Sequence, residues 1–436
     1  MTISPSFIIK RFRRNFLVQI AFALMIMFGF GCKKEKVVQA QCSFLSPSDG
    51  QGFAYSDTVP VAVDVQSNFS IERVDVQVSS NAQAVSLPIQ SFYPNVESTT
   101  INCDYLLNDS YMESGIYFVE VTIISNGESF RYDRNFTYSG LVKQLEGIVY
   151  LSAPGANMVN INQLDFNSPV LLSSIGSDYV GSSLSSRSKV INILGSTAGL
   201  SGIDANDYST RFHFQPAGTG TISSVAYSFD KEINYIGCSD GNIQGVNELG
   251  QRQFQTGSNQ FLQLKHVLKG ADFLLADFYK TATMEYKIGS FFYPSGTARN
   301  ELAIDFEIVS ILPLDAQNVR IYGNRNLHGL IYDYSIPNNT ITLKRDQNGI
   351  TYRSAVSIVN GDLILTDLGI WTYSDSQGAV NVSQHDAFAG TYDDVNNVVY
   401  CYSAHKIYEL QAGSFLEMNQ LTVSDSVLNV HLVYNK

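Results

Sequence analysis

A hairpin returns seven times between residue 141 and the end of the chain, and this repetition limits the fold more than any other feature of the 436-residue sequence. The copies are GIVYLSAPGANMVNIN (147–162), KVINILGSTAGLSGID (189–204), EINYIGCSDGNIQGVN (232–247), DFLLADFYKTATMEYK (272–287), NVRIYGNRNLHGLIYDYS (318–335), DLILTDLGIWTYSD (362–375) and NVVYCYSAHKIYELQ (397–411). Each joins an alternating apolar strand, through a short polar turn, to a second strand with an apolar residue or tyrosine on its inner face. The first apolar positions are Ile148, Val190, Ile233, Phe273, Val319, Leu363 and Val398, spaced by 42, 43, 40, 46, 44 and 35 residues. A unit of that length cannot bury its own apolar face and needs its neighbours to do so.

Several copies follow a further short strand that ends in a turn with aspartate, asparagine or glycine: ISSVAYSFDKE, LQLKHVLKGAD, IVSILPLDAQN, RSAVSIVNGD and HDAFAGTYDDVNN. The first hairpin has little room for such a strand, because SGLVKQLE leads directly into it, while a spare alternating strand, SVLNVHLVYNK, stands at the far end. Residues 426–434 are therefore predicted to fill the missing innermost place in the first blade, which closes the ring and removes an exposed sheet edge. The fold class that follows is all-β, with a seven-bladed β-propeller over residues 141–436. Period and strand pattern resemble bacterial propellers of the WD-repeat and YVTN type. The Trp-Asp dipeptide, the repeated Gly-Gly of kelch blades and the per-blade tryptophan of quinone-dependent dehydrogenases are missing, so this resemblance implies an architecture and no activity.

Residues 42–139 read as a separate small β-sandwich. VPVAVDVQ (59–66) and IERVDVQVS (71–79) alternate cleanly, and YFVEVTIIS (117–125) reaches an Asn126-Gly127 turn before SFRYDRNFTY. Together with the SFLSPSDGQGF opening and the Gly115-Ile116-Tyr117 approach to a late strand, this pattern resembles bacterial Ig-like or fibronectin-type-III-like modules. The resemblance implies a spacer between a lipid anchor and a functional domain.

The chain opens with Lys10, Arg11, Arg13 and Arg14, runs LVQIAFALMIMFGFG from Leu17 to Gly31, and then meets Cys32. These are the basic, apolar and cleavage regions of an export signal. The apolar run is shorter than the roughly 20 residues that a bilayer-spanning helix needs, so removal suits it better than permanent insertion. Gly29 and Gly31 ahead of Cys32 resemble the lipobox of bacterial lipoproteins, although Phe28 replaces the commoner leucine and Phe30 is bulky. The resemblance implies cleavage after residue 31, acylation of the Cys32 thiol, and residues 32–41 as a lipidated tether. Two or three acyl chains would anchor stably where one would hold only reversibly. The charged run Lys33, Lys34, Glu35, Lys36 resembles tethers of surface-exposed lipoproteins, so the expected address is the cell envelope, on an outer-membrane surface or its periplasmic face.

Loss of residues 1–31 leaves 24 basic against 40 acidic side chains, a balance that opposes nucleic-acid binding. Of the remaining cysteines, Cys42 and Cys103 fall in the sandwich segment, where an oxidising compartment favours a bridge between them. Cys238 and Cys401 sit in apolar strands and read as inert buried thiols. No C-x-x-C or histidine pair has metal-ligand spacing, no nucleophile elbow or phosphate loop occurs, and no cofactor or catalytic residue is implied. Aspartates recur near the inner turns (Asp230, Asp272, Asp315, Asp362, Asp393 and Asp394), which backbone-bonding turn chemistry accounts for better than a cation ring. The remaining ligand-face candidates are His328 and His405, in corresponding turns, and Trp371, the one tryptophan. The expected function is a noncatalytic binding or assembly scaffold that presents a propeller face to an envelope protein, peptide or glycan. The alternative is a glycan- or lactone-acting hydrolase or lyase using loop carboxylates.

Overall fold

A computed structural model describes residues 37–436 apart from 82–84, 86, 218–220, 229–231, 258–261, 271 and 281. The chain divides into two compact units between Leu141 and Val142. Cys32, the export signal and Asp230 lie outside the described residues, and no helix occurs among those that are described.

The first unit is built on β1 (Ala40–Ser46), β2 (Gln51–Ala54), β3 (Thr58–Ser79), β4 (Gln90–Phe92), β5 (Val96–Leu106), β6 (Gly115–Ser125) and β7 (Glu128–Ser139). The two alternating runs expected as separate strands are one, β3, because the link between them carries no glycine or proline to turn the chain. Its first half pairs with β1 on one side and β5 on the other. Beyond a register shift between Gln66 and Ile71 its second half pairs with β4 and β6. Val61, Val63 and Val65 from the first half share one buried cluster with Val74, Val76 and Val78 from the second and with Val119, Val121 and Ile123 of β6. The two halves of the sheet thus share a single core.

This register corrects the expected Cys42–Cys103 bridge, since both thiols are free. Cys42 faces Val65 from β1 and Cys103 faces Val61 from β5, on opposite flanks of β3. Two strand spacings, about 10 Å, separate them before any offset along the strand, whereas a disulfide needs Cα atoms within about 7 Å. Burial pushes both thiols up to about 11, which leaves them protonated and unreactive near neutral pH.

The second unit is a ring of seven four-stranded antiparallel blades. Blade one runs, from the axis outward, Ser426–Tyr434, Leu145–Gly155, Met158–Gln163 and Val170–Gly176. The C-terminal strand therefore closes the ring as expected, pairing antiparallel with the first strand of the unit. The innermost strands of blades two to seven are Tyr179–Ser185, Ile222–Ser228, Leu262–Lys269, Glu307–Pro313, Tyr352–Ile358 and Ala389–Asp393. Each lies against the next in an unbroken cycle that returns through Ser426–Tyr434. The seven sequence hairpins are the second and third strands, the most buried pair of each blade. The outermost strands, such as Thr340–Asn348, are mostly exposed.

One turn seals most of the seams between blades. Between the third and fourth strands, blades two, four, five, six and seven carry five-residue turns ending on Tyr208, Gly296, Asn339, Gly378 and Phe415, each with positive φ. Where the second turn residue is large, as Tyr293 in blade four or Ile336 in blade five, it fills the seam to the preceding blade, and glycine or asparagine takes the left-handed position. Where the second residue is only alanine, as Ala205 and Ala412, the left-handed residue is aromatic and its own ring packs into the seam. Holding Tyr208 or Phe415 there costs about 1–3 kcal/mol, which burial of the ring offsets at about 1.5–3 kcal/mol.

Blade six departs from this rule. Its turn offers Asp375, which reaches Arg320 of blade five, with Nη2 donating to Oδ2 at 2.8 Å. Arg320 occupies the position that is Val149, Ile191, Leu274, Ile364 and Val399 in other blades, and its side chain is only 5% exposed. It also donates to Asp333 at 2.9 Å through Nε and to Asp362 at 3.4 Å through Nη1. Tyr322 donates to the same Asp362 at 2.5 Å, and Lys344 stands 3.3 Å from Asp375 and 3.4 Å from Asp333. Burial works against the guanidinium charge, but hydrogen bonds and attraction from Asp333 and Asp375 outweigh it and raise its pKa.

Candidate functional site

Antiparallel meanders put the turns between second and third strands on one face of the ring and the remaining within-blade turns on the other. His328, Trp371 and His405 come from the former face, in blades five, six and seven in turn. They do not converge. His328 Nδ1 lies 2.6 Å from Asp346 Oδ1 in a half-exposed pair, and His405 Nδ1 lies 3.3 Å from the Asp425 carbonyl. Trp371 packs one side of its ring against the seam of blades five and six, and its buried indole N–H has no partner among the described residues.

Trp371 also walls an open hollow of about 630 Å³ shared with Asp367, Leu368, Gly369, Asn381, Gln384 and Asp386. Leu368 is 52% exposed at its lip. The polar wall is already organised. Asp367 accepts from the Thr351 N–H at 2.9 Å, the Gln384 amide donates to Asn381 Oδ1 at 2.9 Å, and Arg353 holds Asp386 at 2.5 Å. Gly369 has φ +112, and a Cβ there would meet the Ser383 carbonyl at 2.3 Å, so the turn that shapes the hollow requires glycine.

Beside the hollow, Ser383 Oγ contacts His385 Nδ1, and His385 Nε2 lies 2.6 Å from Glu417 Oε2. The order resembles a nucleophile, base and orienting acid. Yet Ser383 Oγ also accepts the His385 backbone N–H at 3.3 Å, which makes it a turn hydroxyl two residues from its partner. A second serine–histidine contact lies between innermost strands, where Ser182 Oγ is 2.8 Å from His431 Nε2. Ser182 is further bonded to Tyr179 at 2.9 Å and accepts from Asn429 at 3.0 Å, so its lone pairs are engaged. Burial lowers the His431 pKa to about 4 and keeps the ring neutral.

The opposite face holds two further cavities. One of about 430 Å³ lies where blades one, two and seven meet and includes Lys143, Asp394, His431 and Tyr434. There Lys143 Nζ lies 2.6 Å from Asp394 and 4.0 Å above the Tyr434 ring. The other, of about 620 Å³, lies at the seam of blades six and seven. Its wall combines turn residues such as Asn360 and Gln377 with residues of innermost, third and outer strands such as Tyr392, Thr372 and Val380.

The recurrent aspartates divide. Asp315 and Asp393 cap their own turns, accepting N–H bonds from Gln317, Asn318 and Val395 at 2.7–3.0 Å. Asp362 instead belongs to the Arg320 network, a role hidden in the sequence because its partner lies 42 residues away. Among the described residues no group of three histidine, cysteine or acidic side chains surrounds a point where a metal could sit.

No known protein family matches the chain, and no curated protein does. Among solved structures, BamB from Moraxella catarrhalis is similar at 8% identity and a TM-score of 0.42, over 65% of this chain and 92% of that one. Dihydro-heme d1 dehydrogenase NirN, in complex with DHE, is similar at 12% identity and a TM-score of 0.47, over 72% and 73%. At these scores neither lends this chain a partner, cofactor or activity.

Proposed function

We propose that the protein is a cell-envelope lipoprotein and a noncatalytic binding or assembly scaffold. In this reading acyl chains on Cys32 anchor it, residues 42–139 form an Ig-like spacer, and the propeller docks an envelope protein, peptide or glycan. The observation that carries the docking is the Trp371 hollow. It joins an exposed apolar lip at Leu368 to a preorganised rim of amides and carboxylates, on a ring whose closure makes it rigid. Concave sites of several hundred Å³ with a few fixed polar groups suit binding, and loops on a rigid scaffold suit recognition.

Two measurements test this reading. Mass spectrometry of the native protein should find a diacylated N-terminal Cys32, and an intact leader or an unmodified thiol there would remove the envelope address. A photo-crosslinking residue at Leu368 in intact cells should capture one defined partner, and the yield should fall at least fivefold with Trp371→Ala or Cys32→Ser. An adduct indifferent to both changes would sink the docking role.

A further inference from the structure

The cavity at the seam of blades six and seven differs in chemistry from the other two cavities described, both of which include charged side chains. In a chain with 40 acidic and 28 basic side chains, none of the residues lining these 620 Å³ is charged at neutral pH. Hydroxyls and carboxamides supply its polar side chains, among them Thr372, Gln377 and Asn360. Its apolar part includes Tyr392, with Val359 and Val380 exposed at the rim.

The side chains of Asn360, Thr372 and Gln377 make no hydrogen bond within the described residues. Each carboxamide offers a donor and an acceptor side by side. Vicinal hydroxyls of a sugar ring present the same alternation, and its C–H face packs on an aromatic ring such as Tyr392. An ionic ligand would find no counter-charge to replace its lost hydration. The protein's negative balance would further repel an anion.

We infer that this cavity is a binding site for a neutral saccharide. The inference rests on the binding role proposed above but uses a different face of the ring, so the two fail separately. Asn360 and Gln377 are exposed turn residues, and alanine at both leaves the core intact.

The full mature chain would be presented to an array of neutral, anionic and cationic glycans, and the strongest ligand taken to calorimetry beside a neutral tripeptide. The expected result is a neutral oligosaccharide whose affinity falls at least tenfold in the Asn360→Ala, Gln377→Ala protein and stays within twofold in Trp371→Ala. Unchanged melting of the double variant would show that the loss is local. The inference is overturned if only charged glycans or the peptide bind, if no neutral glycan binds, or if the double variant binds as well as the parent. Crosslinking from Leu368 should be indifferent to the double variant, which keeps failure here distinct from failure of the docking role.

Discussion

The seams on either side of blade six solve one packing problem with opposite chemistry. Toward blade seven, Phe415 accepts a left-handed backbone so that its ring, 7% exposed, can join Leu363, Leu365 and Val399 in an apolar contact. Toward blade five, Arg320 stands where five of the other blades place valine, isoleucine or leucine and blade three places Asn234, and it is held by Asp333, Asp362 and Asp375. The apolar way of filling a seam has two forms, a ring from the left-handed residue as at Phe415 or one from the second turn residue as at Tyr293 of blade four. The seam at Arg320 depends on matched charges and fixed partners. Apolar packing is forgiving in identity, whereas a buried ion network is costly to break but not necessarily stabilising as a whole.

Cutting each seam should expose this difference. Arg320→Ala should have the largest effect, about 4 kcal/mol lost, because Asp362 stays buried without its counter-charge; chemical denaturation that reads under about 1 kcal/mol would show that the network is dispensable. Phe415→Ala should lose about 3 kcal/mol, the cost of losing a buried phenylalanine ring, with no offset from the backbone because alanine keeps the same strained shape. Adding Ala412→Tyr to Phe415→Gly, which recreates the blade-four arrangement, should restore most of that loss.

Acid separates the ionic seam from another buried titratable group. The folded His431 pKa of about 4 lies below its ordinary 6.5, so the unfolded chain takes up the proton first and stability falls as pH drops from 6.5 toward 4. The expected loss is on the order of 3 kcal/mol, and His431→Gln should flatten that part of a stability–pH curve. For Asp375, burial favours the neutral acid, but hydrogen bonds and attraction from Arg320 prevail and hold the carboxyl below its usual range. Its contribution is thus kept above the ordinary carboxylate pKa and lost only at still lower pH. The smallest effect should come from Arg320→Met, Tyr322→Phe and Asp362→Leu together, within about 1 kcal/mol of the parent, because the buried charges and the hydroxyl that needs Asp362 leave at once.

Much of this architecture was legible in the sequence, for a physical reason. The second and third strands of every blade are buried on both faces, so their apolar pattern repeats seven times, and the surplus strand at residues 426–434 points to the gap it fills. The outermost strands escaped notice because solvent on one side relaxes their residue choice, as in Glu417–Thr422, where only Leu421 is buried. Arg320 was visible as a basic residue in an apolar run, but its partners were not. They come from three other strands and turns, and spacing carries no trace of such a meeting. The Cys42–Cys103 expectation failed on register, which is set by pairing along β3 and not by closeness in the chain. Of the three ligand-face candidates Trp371 lines a hollow, while His328 and His405 lie against Asp346 and the Asp425 carbonyl. The neutral cavity was invisible because strands and turns of two different blades build it together.

Blade one is sewn from the two ends of its unit, Leu145–Gly155 and Ser426–Tyr434. The chain separates those strands by about 280 residues, so this blade lacks its axial strand until residues 426–434 have been made. Blades two to seven each have their four strands before residue 426, but the circle is completed only by the nine-residue strand Ser426–Tyr434. Any product that stops short of residue 426 is left with an open ring and an unpaired edge along Leu145–Gly155. Such fragments are marked for aggregation or proteolysis by the same strand that, in the finished chain, is hidden at the axis.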